Sequence, residues 1–362
     1  MRITIDVQPL LGKKSGVGYY IHGLIQGLAD VDDKNSYQLA LFDFRSRAHG
    51  IELPGPNFRI KRSWIPGRLA SFVWKKMKAP AYEFYFGDSD IVHFPNFIIR
   101  PIRKGKKIAT IHDVSFLRLP QYAEPKNLAF LKGFIEETVK IADEIIVDSE
   151  FSRREVLSLF NIPQEKVHAI HLGIGREFRP GRVAKKRMLL FVGTLEPRKN
   201  IPGLIRAYER FVQRTGLSEY ELVIAGMKGW LYQGILECVE KSPYRAGIKL
   251  LDYVSDELLL SLYQSAALFV YPSFYEGFGL PPLEAMACGI PVVSSKTGSL
   301  PEVLGDGAHY ADPEDIEGLS IEIEKLLLDE KRRKETIDRG LEQVKKYRWD
   351  IAARKTIKVY SR

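Results

Sequence analysis

ALFVYPSFYEGFGLPPLEAMACGIPVVSS, Ala267 to Ser295, reads as a buried strand, a glycine-rich loop that opens a helix, and a second buried strand. ALFVYPS (Ala267–Ser273) and PVVSS (Pro291–Ser295) are short β-branched or aromatic runs of the kind that fill a sheet buried on both faces. Pro281 and Pro282 sit where a first helical turn has no use for amide donors. Strand, helix and strand in immediate succession predict a parallel α/β sheet.

The same pattern extends in both directions. MLLFVG (Met188–Gly193), YELVIAG (Tyr220–Gly226) and IKLLDYV (Ile248–Val254) precede the opening stretch as further strands with helical segments between them. Earlier, ITIDV (Ile3–Val7), YQLALF (Tyr37–Phe42), DIVHF (Asp90–Phe94), KIATIHD (Lys107–Asp113) and EIIVDS (Glu144–Ser149) form a separate series, which VHAIHLGI (Val167–Ile174) closes. The helical spacing from Pro125 to Ala142 lies between the last two strands of that series, and Ser149 is placed to cap the helix that follows. With 362 residues the chain is long for one core. Two doubly wound, Rossmann-like domains are therefore expected, residues 1–175 and 176–348. The polar, basic stretch GREFRPGRVAKKR (Gly175–Arg187) is the linker, and a basic helix from about Trp349 can cross back onto the first domain.

Composition narrows the function. The chain is 45% hydrophobic and 27% charged, as in ordinary globular protein, and Asp6 interrupts the first apolar run before a signal-peptide core can form. No run reaches bilayer length, so a cytoplasmic protein is expected. Cys238 and Cys288 are too few for a disulfide framework and lack the clustering of a metal site. A net charge of +9 suits an anionic partner. Its cations concentrate in two acid-free stretches, Phe58–Lys78 and Arg100–Lys107, which predict a basic face on the first domain. Trp64, Phe72 and Trp74 are interleaved with Arg59, Lys61, Arg62, Lys75 and Lys76, a pattern compatible with an anionic membrane surface or a lipid-linked acceptor.

Four motifs carry the candidate chemistry. Gly277 and Gly279 let the backbone approach a ligand, and the helix start after them offers free amides and a dipole to a diphosphate. Glu276 precedes that loop and Glu284 lies eight positions on, so that one carboxylate can face a sugar while the other reaches a ribose hydroxyl pair. In VGTLEPRKN (Val192–Asn200) a strand ends at Gly193, and Arg198 and Lys199 are placed to neutralise charge on a departing nucleoside diphosphate. GVGYY presents Gly16, Val17 and Gly18 after the first strand and a loop with Lys13, Lys14 and Ser15; Ile21 replaces the third glycine of the dinucleotide fingerprint, and a plain glycine turn fits equally well. IATIHDVS brings His112 and Asp113 out at a strand's carboxyl edge, to contact a sugar or orient a hydroxyl, or simply to sit as satisfied polar residues. Asp88 and Asp90 of DSD are better read as the polar approach to a strand than as metal ligands.

Taken together, GVG, HFP (His93–Pro95), IHDVSFLRLP (Ile111–Pro120), GTLEPRKN and EGFGLPPLEAMACGIPVV resemble the retaining glycosyltransferases grouped with the mannosyltransferases of bacterial lipopolysaccharide O-chain synthesis. The likeness runs over nearly the whole chain and is most specific from Glu276 to Val293. It implies a GT-B fold, a sugar-nucleotide donor with GDP-mannose favoured and a UDP-sugar open, retention of anomeric configuration, and no essential metal or cofactor. By the matching motifs it puts Glu276 at the donor sugar, Glu284 at the ribose, Gly277, Phe278, Gly279 and Leu280 as backbone contacts, Arg198 and Lys199 at the diphosphate, His112 beside the reacting sugar and Val254 near the base. It also implies a glycan or lipid-linked acceptor held by the first domain, with the last helix packed back upon it, and favours front-face attack by the acceptor as the diphosphate leaves.

Three other classes explain less. A glycoside hydrolase has no use for a phosphate-binding helix start beside its carboxylates. A nicotinamide oxidoreductase lacks here both its fingerprint and the acidic ribose partner. A nucleic-acid binder would account for the charge but leaves the second domain's motifs without a role, and no recognition motif is present.

Overall fold

The computed structural model describes residues 1–11, 16–44 and 51–362, without the side chains of residues 68, 75, 76 and 125–127. Lys13, Lys14 and Ser15, and the side chains of Lys75 and Lys76, lie outside the described residues. The chain divides into two compact units: Met1–Val114 with Ala129–Gly173 and Arg348–Arg362, and Ser115–Leu128 with Ile174–Tyr347.

The first unit is a seven-stranded parallel sheet, β1 (Arg2–Asp6), β2 (Ser36–Phe42), β3 (Phe58–Ser63), β4 (Ile91–Phe94), β5 (Lys106–Ile111), β6 (Glu144–Val147) and β7 (Val167–Ala169), in the order β3-β2-β1-β4-β5-β6-β7. Its central strands are continuous apolar runs, with Ile3, Ile5, Ile108, Ala109 and Ile111 wholly buried, because helices cover both faces. The terminal helix Trp349–Tyr360 packs on the helix Gly16–Val31, where Gly23 and Gly27, one turn apart, make the slot for Trp349: a Cβ on Gly23 would lie 2.0 Å from its ring.

The second unit holds six parallel strands, β8 (Met188–Val192), β9 (Glu221–Ala225), β10 (Ile248–Leu251), β11 (Leu268–Tyr271), β12 (Val292–Ser295) and β13 (Ala308–Ala311), in the order β10-β9-β8-β11-β12-β13. This is the doubly wound strand order, with its switch point between β8 and β11. Within this unit the Tyr122 ring stacks on Phe274 at 5.3 Å, and Trp230 Nε1 donates to the Tyr122 carbonyl at 2.6 Å.

Single elements differ from the sequence reading, and Ser115–Leu128, expected within the first domain, groups with the second unit. IKLLDYV ends as a strand at Leu251, leaving Val254 in the loop before the helix Asp256–Ser265. Two strands were not expected. β3 (FRIKRS) is an edge strand whose exposed alternate positions carry cations, so that it reads as part of a basic patch; β13 (AHYA) is the short opposite edge of the second sheet. The stretch Gly175–Arg187 forms no helix or strand, yet it is anchored: the Phe178 ring meets Tyr263 edge-on at 5.7 Å, and Gln264 Nε2 donates to the Arg179 carbonyl at 3.0 Å. Ser149 does cap its helix, accepting from the Ser152 amide at 3.0 Å.

Candidate functional site

The switch point of the second sheet brings two loops together. The loop after β8, Gly193–Asn200, and the loop after β11, Pro272–Gly279, leave the carboxyl ends of adjacent strands and are tied by a backbone hydrogen bond from the Phe274 amide to the Arg198 carbonyl at 2.9 Å. Two segments far apart in sequence thus place Arg198, Lys199 and Glu276 in one cluster.

In that cluster Lys199 Nζ donates to Glu276 Oε1 at 2.6 Å and to the Tyr271 hydroxyl at 2.7 Å. Arg198 Nη1 lies 3.1 Å from Glu276 Oε2 and also donates to the Tyr275 carbonyl, while Nη2 reaches Glu196 Oε1 at 2.6 Å. All four charged side chains are largely buried. Burial by itself would raise the Glu276 pKa, but Lys199 and Arg198 outweigh it and hold the carboxyl at about 2. Glu276 is therefore ionised at any physiological pH, with both oxygens engaged by cations, which makes it a poor base and a poor nucleophile. The two cations and two carboxylates balance, so the cluster is buried without net charge.

Gly279 begins the helix Leu280–Ala287 with φ +100°, and a Cβ there would come 2.7 Å from Leu300 Cδ2. Glycine is required on both counts. The loop Lys296–Ser299 after β12 supports this turn from below: the Ser299 hydroxyl donates to the carbonyls of Glu276 and Phe278 at 3.0 and 2.9 Å, and Gly298 passes so close that a Cβ would be 2.7 Å from the Glu276 carbonyl oxygen. Gly277 and Phe278 are buried; the Phe278 ring meets Tyr347 edge-on at 5.7 Å, and Leu280 is the first helical residue.

Glu284 lies one turn into that helix, apart from the cluster, with Oε2 accepting from the Tyr263 hydroxyl at 2.8 Å. Burial raises its pKa, Tyr263 lowers it, and Glu177 and Asp256 add like charge; the carboxyl is carried to about 7. Half-buried Gly193 ends β8, and half-buried Val254 lies beyond β10 on the same carboxyl side of the sheet.

In the first unit His112 emerges just beyond β5. The register Ile111↔Val147 sets it beside Asp148, just beyond β6. His112 Nδ1 is 2.7 Å from Asp148 Oδ2 and Nε2 is 3.1 Å from the Pro95 carbonyl, while the Tyr20 ring meets the imidazole edge-on at 4.8 Å. A carbonyl can only accept, so Nε2 carries a proton. Burial lowers the His112 pKa, but Asp148 and the Pro95 carbonyl reverse this and hold it above its ordinary value. Both ring nitrogens are thus committed to protein acceptors. Asp113 is half-buried beside it, Gly16 is exposed at the start of its helix, Val17 is half-buried and Gly18 buried. His93 is a core residue: wholly buried, it bonds the Tyr360 hydroxyl at 2.8 Å and Thr110 Oγ1 at 2.9 Å, and burial drives its pKa down to about 3.

The sequence reading did not single out Glu196, Tyr263, Tyr271, Asp148, Gly298 or Ser299. The offset of strand ends carried a signal for Asp148 only, because in a parallel sheet residues just past paired strand ends are neighbours. Of the DSD carboxylates, Asp88 pairs with Lys104 at 2.9 Å and Asp90 accepts from the Arg2 amide at 2.7 Å. Among the described residues no group of three or more His, Cys, Asp or Glu is arranged to hold a metal, and no helix is long and apolar enough to cross a membrane.

Comparison with known proteins places these features in context. Residues 176–343 match the family described as glycosyl transferases group 1, and residues 14–178 match glycosyltransferase family 4. O-antigen chain mannosyltransferase B of Escherichia coli is 33% identical, over 99% of this chain and 99% of its own length. The serotype-specific mannosyltransferase WbdA of Escherichia coli is 30% identical over 71% of this chain, which spans 33% of that longer protein. Among solved structures, sucrose-phosphate synthase from Thermosynechococcus elongatus superposes with a TM-score of 0.80 at 20% identity, covering 99% of this chain and 98% of that one. Anabaena HepE in complex with UDP-glucose gives 0.75 at 16% identity, over 100% and 99%.

Proposed function

The chain belongs to the group 1 glycosyltransferases and has the GT-B fold, and from that premise we propose that it transfers a mannosyl residue, with retention, from a nucleoside diphosphate donor to a glycan or lipid-linked acceptor in O-antigen synthesis. The observation that carries this reading is the buried, charge-balanced cluster of Lys199, Arg198, Glu276 and Glu196 against the start of the helix Leu280–Ala287. Two cations at the carboxyl end of a switch point, beside the start of a helix, match a diphosphate. GDP-mannose is favoured over a UDP-sugar by the mannosyltransferase relatives.

In the reaction the acceptor oxygen bonds to the anomeric carbon on the face from which the diphosphate departs. The bond from that carbon to the diphosphate oxygen breaks, and the acceptor's proton passes to the departing diphosphate. Arg198 and Lys199 stabilise the charge that builds there, which is a large term in a buried site. Glu276, ionised and engaged by two cations, orients sugar hydroxyls and is not spent as a nucleophile. Glu284 takes the ribose hydroxyl pair in its ionised form, and His112, its ring nitrogens held by Asp148 and the Pro95 carbonyl, contributes positive charge beside the sugar. The acceptor is assigned to the first unit, which also makes peripheral contact with an anionic membrane through Trp64 (71% exposed) and Phe72 (58%). Trp74, included in that surface on sequence grounds, is instead a core residue at 5%, with Nε1 donating to the Pro80 carbonyl.

The test is a thermal-shift panel of GDP, UDP and ADP followed by transfer from GDP-mannose, the product's anomeric configuration being read by NMR. Stabilisation by GDP and an α-linked product support the proposal. Absence of any nucleotide shift, or an inverted product, overturns it.

A further inference from the structure

Tyr271 closes β11 and is 1% exposed. Its ring lies stacked beside Phe191 of β8 at 5.5 Å and Phe269 of its own strand at 5.9 Å, both wholly buried, so aromatic packing on two sides fixes where the ring sits. A phenylalanine would fill the same space and bury the same apolar surface. The hydroxyl is the part that packing does not explain: it accepts from Lys199 Nζ at 2.7 Å, with the ammonium 5.1 Å from the ring centroid.

An ammonium carries three N–H donors. At Lys199 two are spent inside the protein, on the Tyr271 hydroxyl and on Glu276 Oε1 at 2.6 Å, and among the described residues the third has no acceptor. With one acceptor the head could swing on its flexible stem; with two, from β11 and from the loop that follows it, the nitrogen's place and the direction of the remaining donor are both set. Tyr271 suits this task because it stays neutral. Burial, with the charge of Glu276 beside it, raises its pKa well above the ordinary value, so the oxygen accepts without adding negative charge to a cluster that already balances.

We propose that Tyr271 is a positioning residue of the transfer, holding the Lys199 ammonium so that its third donor meets the diphosphate oxygen on which charge builds as the sugar leaves. The inference rests on the reading of Lys199 as a diphosphate-binding cation. A donor fixed in advance needs no reorganisation at the moment of reaction, so the benefit falls on the transition state more than on the bound ground state. The charged groups around the ammonium are Arg198 and Glu196 from its own loop and Glu276 from the loop after β11. Burial and Arg198 lower the Lys199 pKa, and Glu276 and Glu196 pull it back. Removing the hydroxyl takes away an acceptor that favours the ammonium form, and so lowers it further.

The experiment compares Tyr271→Phe, Lys199→Met and the double variant with wild type in the full chain, by transfer from GDP-mannose and by calorimetry with GDP. Tyr271→Phe is expected to lower kcat at least about tenfold while donor KM and GDP affinity stay within about threefold, because the charge remains in the site and only its aim is lost. On the alkaline side its kcat is expected to fall away at lower pH than in wild type. In the double variant the hydroxyl has nothing left to hold, so kcat matches that of Lys199→Met. A lower thermal midpoint with wild-type kcat and an unmoved alkaline limb would make Tyr271 a packing residue and overturn the proposal, as would independent losses that multiply in the double variant. Wild-type kcat and GDP affinity in Lys199→Met would instead remove the diphosphate reading, and the proposal with it. Should Tyr271→Phe misfold, NMR of wild type carrying isotope-labelled lysine decides. One ammonium signal protected from solvent exchange is expected, missing in Lys199→Met, and its absence from wild type would overturn the proposal.

Discussion

Lys199 Nζ lies 2.6 Å from Glu276 Oε1, although 77 residues separate the two in the chain. The contact exists because β8 and β11 are adjacent in the sheet while their following loops belong to separate strand–helix units. Arg198 closes the other side of the same carboxylate, so removing Glu276 leaves Lys199 without its carboxylate and Arg198 with Glu196 alone.

Glu276→Gln is expected to do two opposite things. Breaking a buried ion pair costs about 3–5 kcal/mol, so the thermal midpoint of the free protein falls. The cations it releases favour an anion, so nucleoside diphosphate affinity holds or improves, while kcat drops on the order of a hundredfold because an oriented polar contact to the reacting sugar is lost. Calorimetry and steady-state kinetics on one preparation check both. A kcat close to wild type would remove Glu276 from the sugar.

Glu284 gives a pH signature. Its carboxyl titrates near 7 in the fold against an ordinary value of 4.5, so the folded chain holds the proton more tightly than the unfolded one. The stabilisation this gives is complete below about pH 4.5 and is lost as pH rises through about 7, a difference of about 3 kcal/mol. Glu284→Gln is therefore expected to melt higher than wild type at pH 8 and close to it at pH 4.5. A ribose hydroxyl pair needs the ionised carboxylate, so wild-type donor affinity climbs with pH up to about 7 and then levels; in Glu284→Gln it is weaker and flat. Donor KM measured across that range decides the point.

The His112–Asp148 pair is checked by NMR. The His112 midpoint is expected above 6.5 in wild type, and below 6.5 in Asp148→Asn, where burial acts without its counter-charge. His93, neutral and enclosed by Tyr360 and Thr110, shows no titration over the same range. If Asp148→Asn leaves the His112 midpoint in place, the pair does not set its charge.

Gly279→Ala is expected to lose about 1–3 kcal/mol, since alanine there meets both a positive φ and the Leu300 side chain. It displaces the amides at the helix start, so donor KM rises more than kcat falls. Gly216→Ala also carries a positive φ but has open space around it and lies away from the site, and it serves as the control for backbone strain alone.

Much of this was legible in the chain itself. Apolar runs separated by helical spacing gave eleven of the strand positions, because strands buried on both faces must be continuously hydrophobic. Edge strands β3 and β13 escaped, since one open side relaxes that demand. The glycines and prolines from Gly277 to Pro282 announced a helix start by backbone chemistry alone, and Arg198, Lys199 and Glu276, picked out separately, meet beside it.

What the sequence determined by itself is therefore local: which segments become strands and helices, where the backbone needs glycine, and which residue types could do chemistry. Tertiary structure decided their ionisation and their partners. Nothing in the order of residues says that Glu276 would be held at about 2 and Glu284 at about 7, eight positions apart on one loop and helix. Lys199 and Arg198 arrive beside the first from another strand end, whereas the second is half-buried with Tyr263, Glu177 and Asp256 around it. A pKa depends on the charges and dielectric within a few ångströms, and in a doubly wound sheet those neighbours come from segments remote in the chain.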